Sequence, residues 1–468
     1  MHSVNLTTNK LKGLFLLSIV FLLNNNSFAQ DNSPLSRFGI GDLSPAQNIV
    51  NRGMGGFSIA YSDYGLFGSP FNINFSNPAS LGNLTNTKNF SNTIFDLGAE
   101  IDSRTLKSTT TTEKYKSNNT TVSYMQVAFP VSSTKMEKRG TSWGVGFGLR
   151  PVSKINYKIQ DDKRKTGVDS ISTVYEGSGG LNQISLSTGI KKTGKGSQKN
   201  EFSVGIALGY TFGTKDYATS TYFINDSVFY YKGKNATTTT MGGISINTGL
   251  QYQLNAADGN TWRFGAIFNL QENLNAKQTQ VCGTFSFNGY GEDYYLDTVN
   301  SYQDSIGKIV IPSTIGFGMS FHSKNNQWLV GADFEKTNWS KSFRFYDKKD
   351  NVNSNWTLRM GAEYYPIKSN TIKNKYFNYV KYRAGFYFGP DYLKLDDVRN
   401  NYAFTGGASF PLSTPRSIQS RGEYVTLNTS MEIGARGAPS STSFHEGIFR
   451  LNIGISMNAR WFQKRAFD

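Results

Sequence analysis

The chain has 468 residues, 38% of them hydrophobic and 14% aromatic, with 47 glycines and a formal charge of +16. Beyond the N-terminus no run approaches the ~18 apolar residues a membrane-crossing helix needs, which excludes a helical membrane protein. A single cysteine, Cys282, excludes a disulfide framework, and the scattered basic residues come without a nucleic-acid motif, so no nucleic-acid partner is expected.

The first residues read as an export leader. Lys10 and Lys12 precede an apolar run of 11, Gly13 to Leu23, and Ser27-Phe28-Ala29 offers a small-x-small cleavage pattern. Residues 1–29 are therefore expected to be a Sec signal peptide, cut after Ala29. Its two lysines leave with it, taking the charge from +16 to +14. Cys282 is expected to be a passive loop or strand-end residue.

Residues 30–92 are rich in Gly, Asn and Ser and alternate little. They hold too much Phe, Ile and Tyr to be disordered. The place that suits them is the inside of a barrel, as a plug.

From residue 93 the pattern turns to period two, the mark of a strand with one face to lipid and one to a polar lumen. Phe202, Val204, Ile206, Leu208, Tyr210 and Phe212 alternate with small or polar residues. Ile315, Phe317, Met319 and Phe321 do the same, as do Val330, Ala332 and Phe334. The clearest row is the last, Phe449, Leu451, Ile453, Ile455, Met457, Ala459 and Trp461, with Trp461 and Phe462 as its aromatic end. Strands are expected to begin near residues 93, 121, 142, 174, 202, 240, 261, 311, 326, 355, 378, 401, 424 and 447. The expected fold is all-β: a 14-stranded antiparallel transmembrane β-barrel over 93–468, with residues 30–92 as its N-terminal plug.

With the last strand ending in the periplasm, connections must alternate short and long. Periplasmic turns fall near 131–141, 191–200, 255–260, 323–327, 366–377 and 412–422. Outer loops fall near 103–120, 155–173, 214–239, 272–308, 336–354, 388–400 and 437–446. Several turns are basic: Lys135, Lys138 and Arg139; Lys191, Lys192, Lys195 and Lys199; Lys368, Lys373 and Lys375. Such charge suits anionic lipid or an acidic partner.

Catalytic chemistry has little material. The mature chain holds His322, on the polar face of a strand, and His445, in an outer loop, with no nucleophile signature beside either. No catalytic residue and no cofactor is expected. Glu292, Asp293 and Asp297, with Asp304, could gather calcium, although their spacing matches no EF-hand and acidic loops are usually just solvated. The polar faces carry Asp333, Glu335, Arg359, Glu363, Lys381, Arg383, Glu432, Arg436, Arg450 and Arg460. Buried charge must be paired or wetted. One reading is a ladder of ion pairs tying plug to wall; the other has Arg359, Arg383, Arg436 and Arg450 holding a carboxylate headgroup.

The stretch after the leader contains Arg52-Gly53-Met54-Gly55-Gly56 and then Asn77-Pro78-Ala79. Further on stand GLRPVSKINYKI (148–159), EGSGGLNQISLSTG (176–189), WLVGADF (328–334) and ARWFQKRAF (459–467). Together these resemble the FadL-like outer-membrane barrels, in their Bacteroidetes branch. The resemblance implies a 14-stranded barrel with an N-terminal hatch, placed in the cell outer membrane. It implies passage of long-chain fatty acids or other hydrophobic small molecules, with lateral exit near a kinked strand and with Asn77, Pro78 and Ala79 shaping the path. It equally implies a runner-up, since similar barrels serve as non-transporting subunits of secretion and outer-membrane assembly complexes. Transport is the leading expectation. The expected partners are membrane lipids, a hydrophobic small molecule and other outer-membrane proteins. The charged lumen and basic turns lean toward the interaction role.

Overall fold

The computed structural model describes residues 33–63, 71–84, 93–107, 114–164, 167, 169–225, 228–288, 290, 293–367, 375–394, 399–413, 424–437 and 445–459. The leader, Glu292, Lys368, Lys373, Arg460, Trp461 and Phe462 lie outside the described residues.

Alternating side chains leave one backbone edge free on each side, so neighbouring segments zip together until the sheet closes. Fourteen antiparallel strands form the wall. They are β1 (Thr93–Lys107), β2 (Lys114–Pro130), β3 (Thr141–Arg164), β4 (Ser170–Thr193), β5 (Glu201–Ile224) and β6 (Lys232–Asn255). Then come β7 (Thr261–Asn269, resumed at Glu272–Phe287) and β8 (Asp293–Ile311, resumed at Thr314–His322). Shorter strands complete the wall: β9 (Trp328–Thr337), β10 (Asn355–Tyr364), β11 (Lys381–Pro390), β12 (Asn400–Pro411), β13 (Tyr424–Arg436) and β14 (His445–Ala459). β14 closes on β1, with Ala459 opposite Thr93 and His445 opposite Lys107.

The outward row of β5, Phe202 to Phe212 at every second position, is 40% to 51% exposed and forms part of the lipid band. At the short-turn end, which is the periplasmic end of such barrels, aromatic pairs sit near the rim. Trp262 lies 4.9 Å from Phe321 and Trp328 4.5 Å from Tyr364, ring centre to ring centre.

Two sequence expectations need correction. The segments 103–120, 155–173, 214–239 and 272–308 are mostly strand, not open loop. β5 runs twelve residues past Phe212 to Ile224, roughly 40 Å of chain at a strand's rise. Past the membrane both faces of a hairpin meet water, so alternation has no cause, while the backbone ladder continues through Thr237–Thr240 and Tyr294–Tyr295. His445 opens β14 instead of sitting in an outer loop.

The N-terminal segment fills the barrel as a plug and supplies its core. Near the outer end Leu35 and Ile40 pack with Leu274, Ile309, Trp339 and Tyr392. At mid-height Val50, Met54, Phe57 and Tyr61 cluster with Leu329. Toward the short-turn end Ile73, Leu81 and Leu84 meet Ile94 and Ala128.

Candidate functional site

The site is the plugged lumen together with an opening in its wall. Inward positions of several strands, β1, β9 to β11, β13 and β14 above all, carry charge. The plug answers with its own charges and backbone.

Arg52 ends a one-turn helix, Ile49–Arg52, whose N-cap is the Asn48 side chain accepting from the Asn51 N–H. Its guanidinium bridges two carboxylates on one side of the wall. It lies 2.6 Å from Glu100 on β1 and 2.6 Å from Glu432 on β13. Arg450 on β14 joins the same group, 3.2 Å from Asp102 and 3.4 Å from Glu432. Asp42 of the plug is held by Arg436 at 2.6 Å and by Arg104. Arg436 is also 2.6 Å from Asp391. Toward the other end Lys381 lies 2.5 Å from plug residue Asp63 and 3.2 Å from Glu363, which Arg383 approaches to 2.7 Å. Arg359 reaches Glu335 at 2.9 Å. Each of Arg359, Arg383, Arg436 and Arg450 thus already faces a carboxylate of the protein itself. Asp333 takes neutral partners: it accepts the N–H groups of Ser58 at 2.6 Å and Ile59 at 2.7 Å.

Asn77, Pro78 and Ala79 begin a 3-10 turn, Pro78–Asn83. The Asn77 side chain accepts from the Ala79 N–H at 3.1 Å and donates to Ile59 O at 2.8 Å and to Leu250 O of β6 at 3.2 Å. The turn lies directly on the wall. A Cβ on Gly205 of β5 would stand 2.3 Å from the Pro78 carbonyl carbon, and one on Gly249 of β6 would stand 1.9 Å from Asn77 Oδ1. Glycine is required there because only a bare backbone permits the approach. Asn77 and Ala79 are fully buried.

The lumen holds a cavity of about 300 Å³ into which Arg52, Arg150, Glu335, Arg359, Glu432 and Arg450 bring charge.

The wall is incomplete between β2 and β3. They pair only across Met125–Pro130 and Gly144–Leu149. Pro151, without an N–H, stands two residues past Leu149, and the β3–β4 register slips between Pro151 and Ser153. Opposite, Gly179 and Gly180 take φ of 114° and 135°, a conformation that bends β4 and that L side chains resist. The edge β2 abandons is partly taken by the plug: Asp42–Leu43 pairs antiparallel with Ser153–Lys154, and the Ser44 N–H donates to Val152 O at 2.9 Å. Lys154 bridges the opening, donating to Thr121 Oγ1 at 2.5 Å and to Glu100 at 3.0 Å. Outside the bridge lies a cleft of about 470 Å³ bordered by Val122, Pro151, Gly180 and Phe212.

Other sequence candidates disperse. His322 is buried at the short-turn end of β8 and His445 stands at the opposite end of β14, so they share no site. Asp293 pairs with Lys234, Asp297 is exposed on β8, and no group of three His, Cys, Asp or Glu side chains gathers among the described residues. Cys282 lies within β7, half-buried.

Sequence reasoning missed Asp42, Glu100, Asp102, Arg104, Asp391 and Glu446. Glu100, Asp102 and Arg104 alternate with Ala99, Ile101 and Ser103, a signal that was there to find. Asp42, in the plug, has no such periodicity.

With this geometry in hand, the family model BamG matches residues 11–468. The chain belongs to the BamG family. Solved structures share its fold at low identity. The Pseudomonas putida toluene transporter TodX aligns with a TM-score of 0.50 at 15% identity, covering 91% of this chain and 100% of its own. A TodX monoaromatic hydrocarbon channel deltaS2S3 mutant aligns at 0.52 and 15%, covering 88% and 99%. None of the curated proteins matches the chain. What these structures share with the chain is the closed barrel fold.

Proposed function

We propose that the protein is a non-conducting accessory barrel, a partner-bearing subunit of an outer-membrane protein secretion or assembly complex. The observation that carries this reading is the lumen: a plug tied to β1, β11 and β13 by buried ion pairs, bordering a space into which charged side chains face. A hydrophobic molecule crossing it would have to pass Arg52, Arg450 and Glu432. Removing one partner of such a pair strands the other in the interior, at about 3–5 kcal/mol, so the plug is a poor moving part. Membership of the BamG family fits this, while the hydrocarbon channels share only the fold. Purification in mild detergent tests it. The expected result is stoichiometric co-purification with other outer-membrane proteins, no bound fatty acid or hydrocarbon by mass spectrometry, and no conductance in planar bilayers. A monomer loaded with apolar ligand overturns it.

A second reading is favoured by one observation, the wall opening with its cleft beside Val122, Pro151 and Phe212. There the barrel passes hydrophobic small molecules, such as fatty acids, sideways into the membrane. Val122→Arg, which puts a charge in the cleft, then abolishes uptake of a labelled fatty acid by cells. Unchanged uptake removes this reading.

A further inference from the structure

β3 to β8 outlast the lipid band and rise beyond it as one projecting sheet, each strand paired with the next. Its two outer edges are the upper parts of β3 and β8, and they are built differently. On β3 the plug strand covers Ser153–Lys154, and the run ends in Asp161, Asp162, Lys163 and Arg164. Charge of that density deters strand addition. On β8 the stretch from Asp293 pairs with β7 alone, until Ile309 and Val310 meet Phe345 and Arg344. From Tyr294 to Gln303 it has no Lys, Arg or Pro. Every residue from Asp293 to Ile306 is exposed. Val299 is 74% exposed, Tyr302 61% and Ile306 80%.

Unpaired backbone flanked by exposed apolar side chains is what recruits another strand. Charge selects which strand. Asp297 and Asp304 stand among these exposed side chains, neither in an ion pair among the described residues, and Lys308 is the first basic residue on β8. Two copies of this edge would set acid against acid, and register slips at Tyr295/Asp297, Thr298/Asn300 and Tyr302/Ser305 curve it away from flat self-pairing.

We propose that the free edge of β8 binds an extended segment of a partner protein at the outer surface, one with alternating apolar side chains and net positive charge. This rests on the accessory-subunit reading and gives the partner's chemistry.

The test uses the full chain in detergent and two fluorescent ten-residue peptides of alternating valine and threonine, one flanked by lysines and one by aspartates. Anisotropy is expected to show at least tenfold tighter binding of the lysine-flanked peptide, lost at high salt. Val299→Lys should weaken it at least tenfold with the heat-modifiable gel mobility of the folded barrel unchanged. Asp297→Asn with Asp304→Asn should shrink the preference between peptides. Equal binding of both peptides, or binding indifferent to Val299→Lys, overturns the proposal. So does a concentration-dependent dimer that Val299→Lys dissolves, which would assign the edge to a second copy. The two readings fail separately: partners that co-purify undiminished with the Val299→Lys chain sink the edge and leave the accessory role standing.

Discussion

Both sides of the wall hold the plug by close contact, and one of them adds buried ion pairs. β9, β10 and β11 are 10 residues long, about what a tilted strand needs to cross the apolar layer. With β1, β13 and β14 they supply most of the lumen charge, and they grip Asp42, Arg52 and Asp63 through ion pairs. β3 to β6 are 24 residues each. They offer few charges to the plug and present glycines on which the backbone of residues 77–82 rests, whereas β11 adds the Lys381–Asp63 ion pair to a like contact of Gly361 on β10 and Gly385 on β11 with Met54 and Gly55. Charge fixes position without close fit, whereas bare backbone fixes it by contact. The strands that hold by contact alone are also the ones that continue outward into the projecting sheet. Length beyond the membrane therefore goes with anchoring by shape without ion pairs to the plug.

The comparison can be broken or sharpened by substitution, with stability read from urea unfolding of the detergent-solubilised protein. The largest effect is expected on the charged side. Arg52→Ala leaves Glu100 and Glu432 short of a partner and should cost about 3–5 kcal/mol. A cost under 1 kcal/mol would mean that the pairs do not hold the plug. Next comes the lipid face. Leu208→Arg, exposed in the middle of the β5 row, should cost about 2–4 kcal/mol through the membrane term alone. Its plug should keep the protease resistance of the parent, and a plug cut as fast as in Arg52→Ala would contradict the separation of wall from plug. On the contact side, Gly205→Val drives a side chain into Pro78 and should cost about 1–3 kcal/mol by overpacking. Faster trypsin cleavage within residues 30–92 reports it, and unchanged cleavage would show that the turn does not bear on β5. The smallest effect belongs to the projecting sheet. Phe229→Ser, 79% exposed at a hairpin tip, should change stability by less than about 0.5 kcal/mol. A larger loss would make the sheet part of the barrel's own fold.

Several parts of this arrangement were legible beforehand. Asp333 and Glu335 between Ala332, Phe334 and Lys336 announce a strand with a charged inner face. The row from Phe449 to Met457 announces another. Pro151 inside an otherwise strand-like run is a recognised sign of an unpaired edge, and Gly179-Gly180 nearby is a sign of a bend. What they open, a gap between β2 and β3 bridged by Lys154, could not be read, because it depends on Thr121 and Glu100 arriving from other strands. The extent of the hairpins was also hidden. Alternation reports contact with lipid, and Thr237–Thr240 pair through their backbones with nothing apolar to mark them.

The sequence by itself therefore determined the class, the number of wall strands and, in the regular rows, which side chains turn inward, because period two and lipid contact are local constraints written residue by residue. Only the tertiary structure decided that Arg52 bridges Glu100 and Glu432, that Asn77-Pro78-Ala79 rests on Gly205 and Gly249, and that β3 to β8 stand as a sheet with one guarded and one open edge. Those are meetings of residues tens to hundreds of positions apart, and no local pattern carries the closure of the barrel that brings them together.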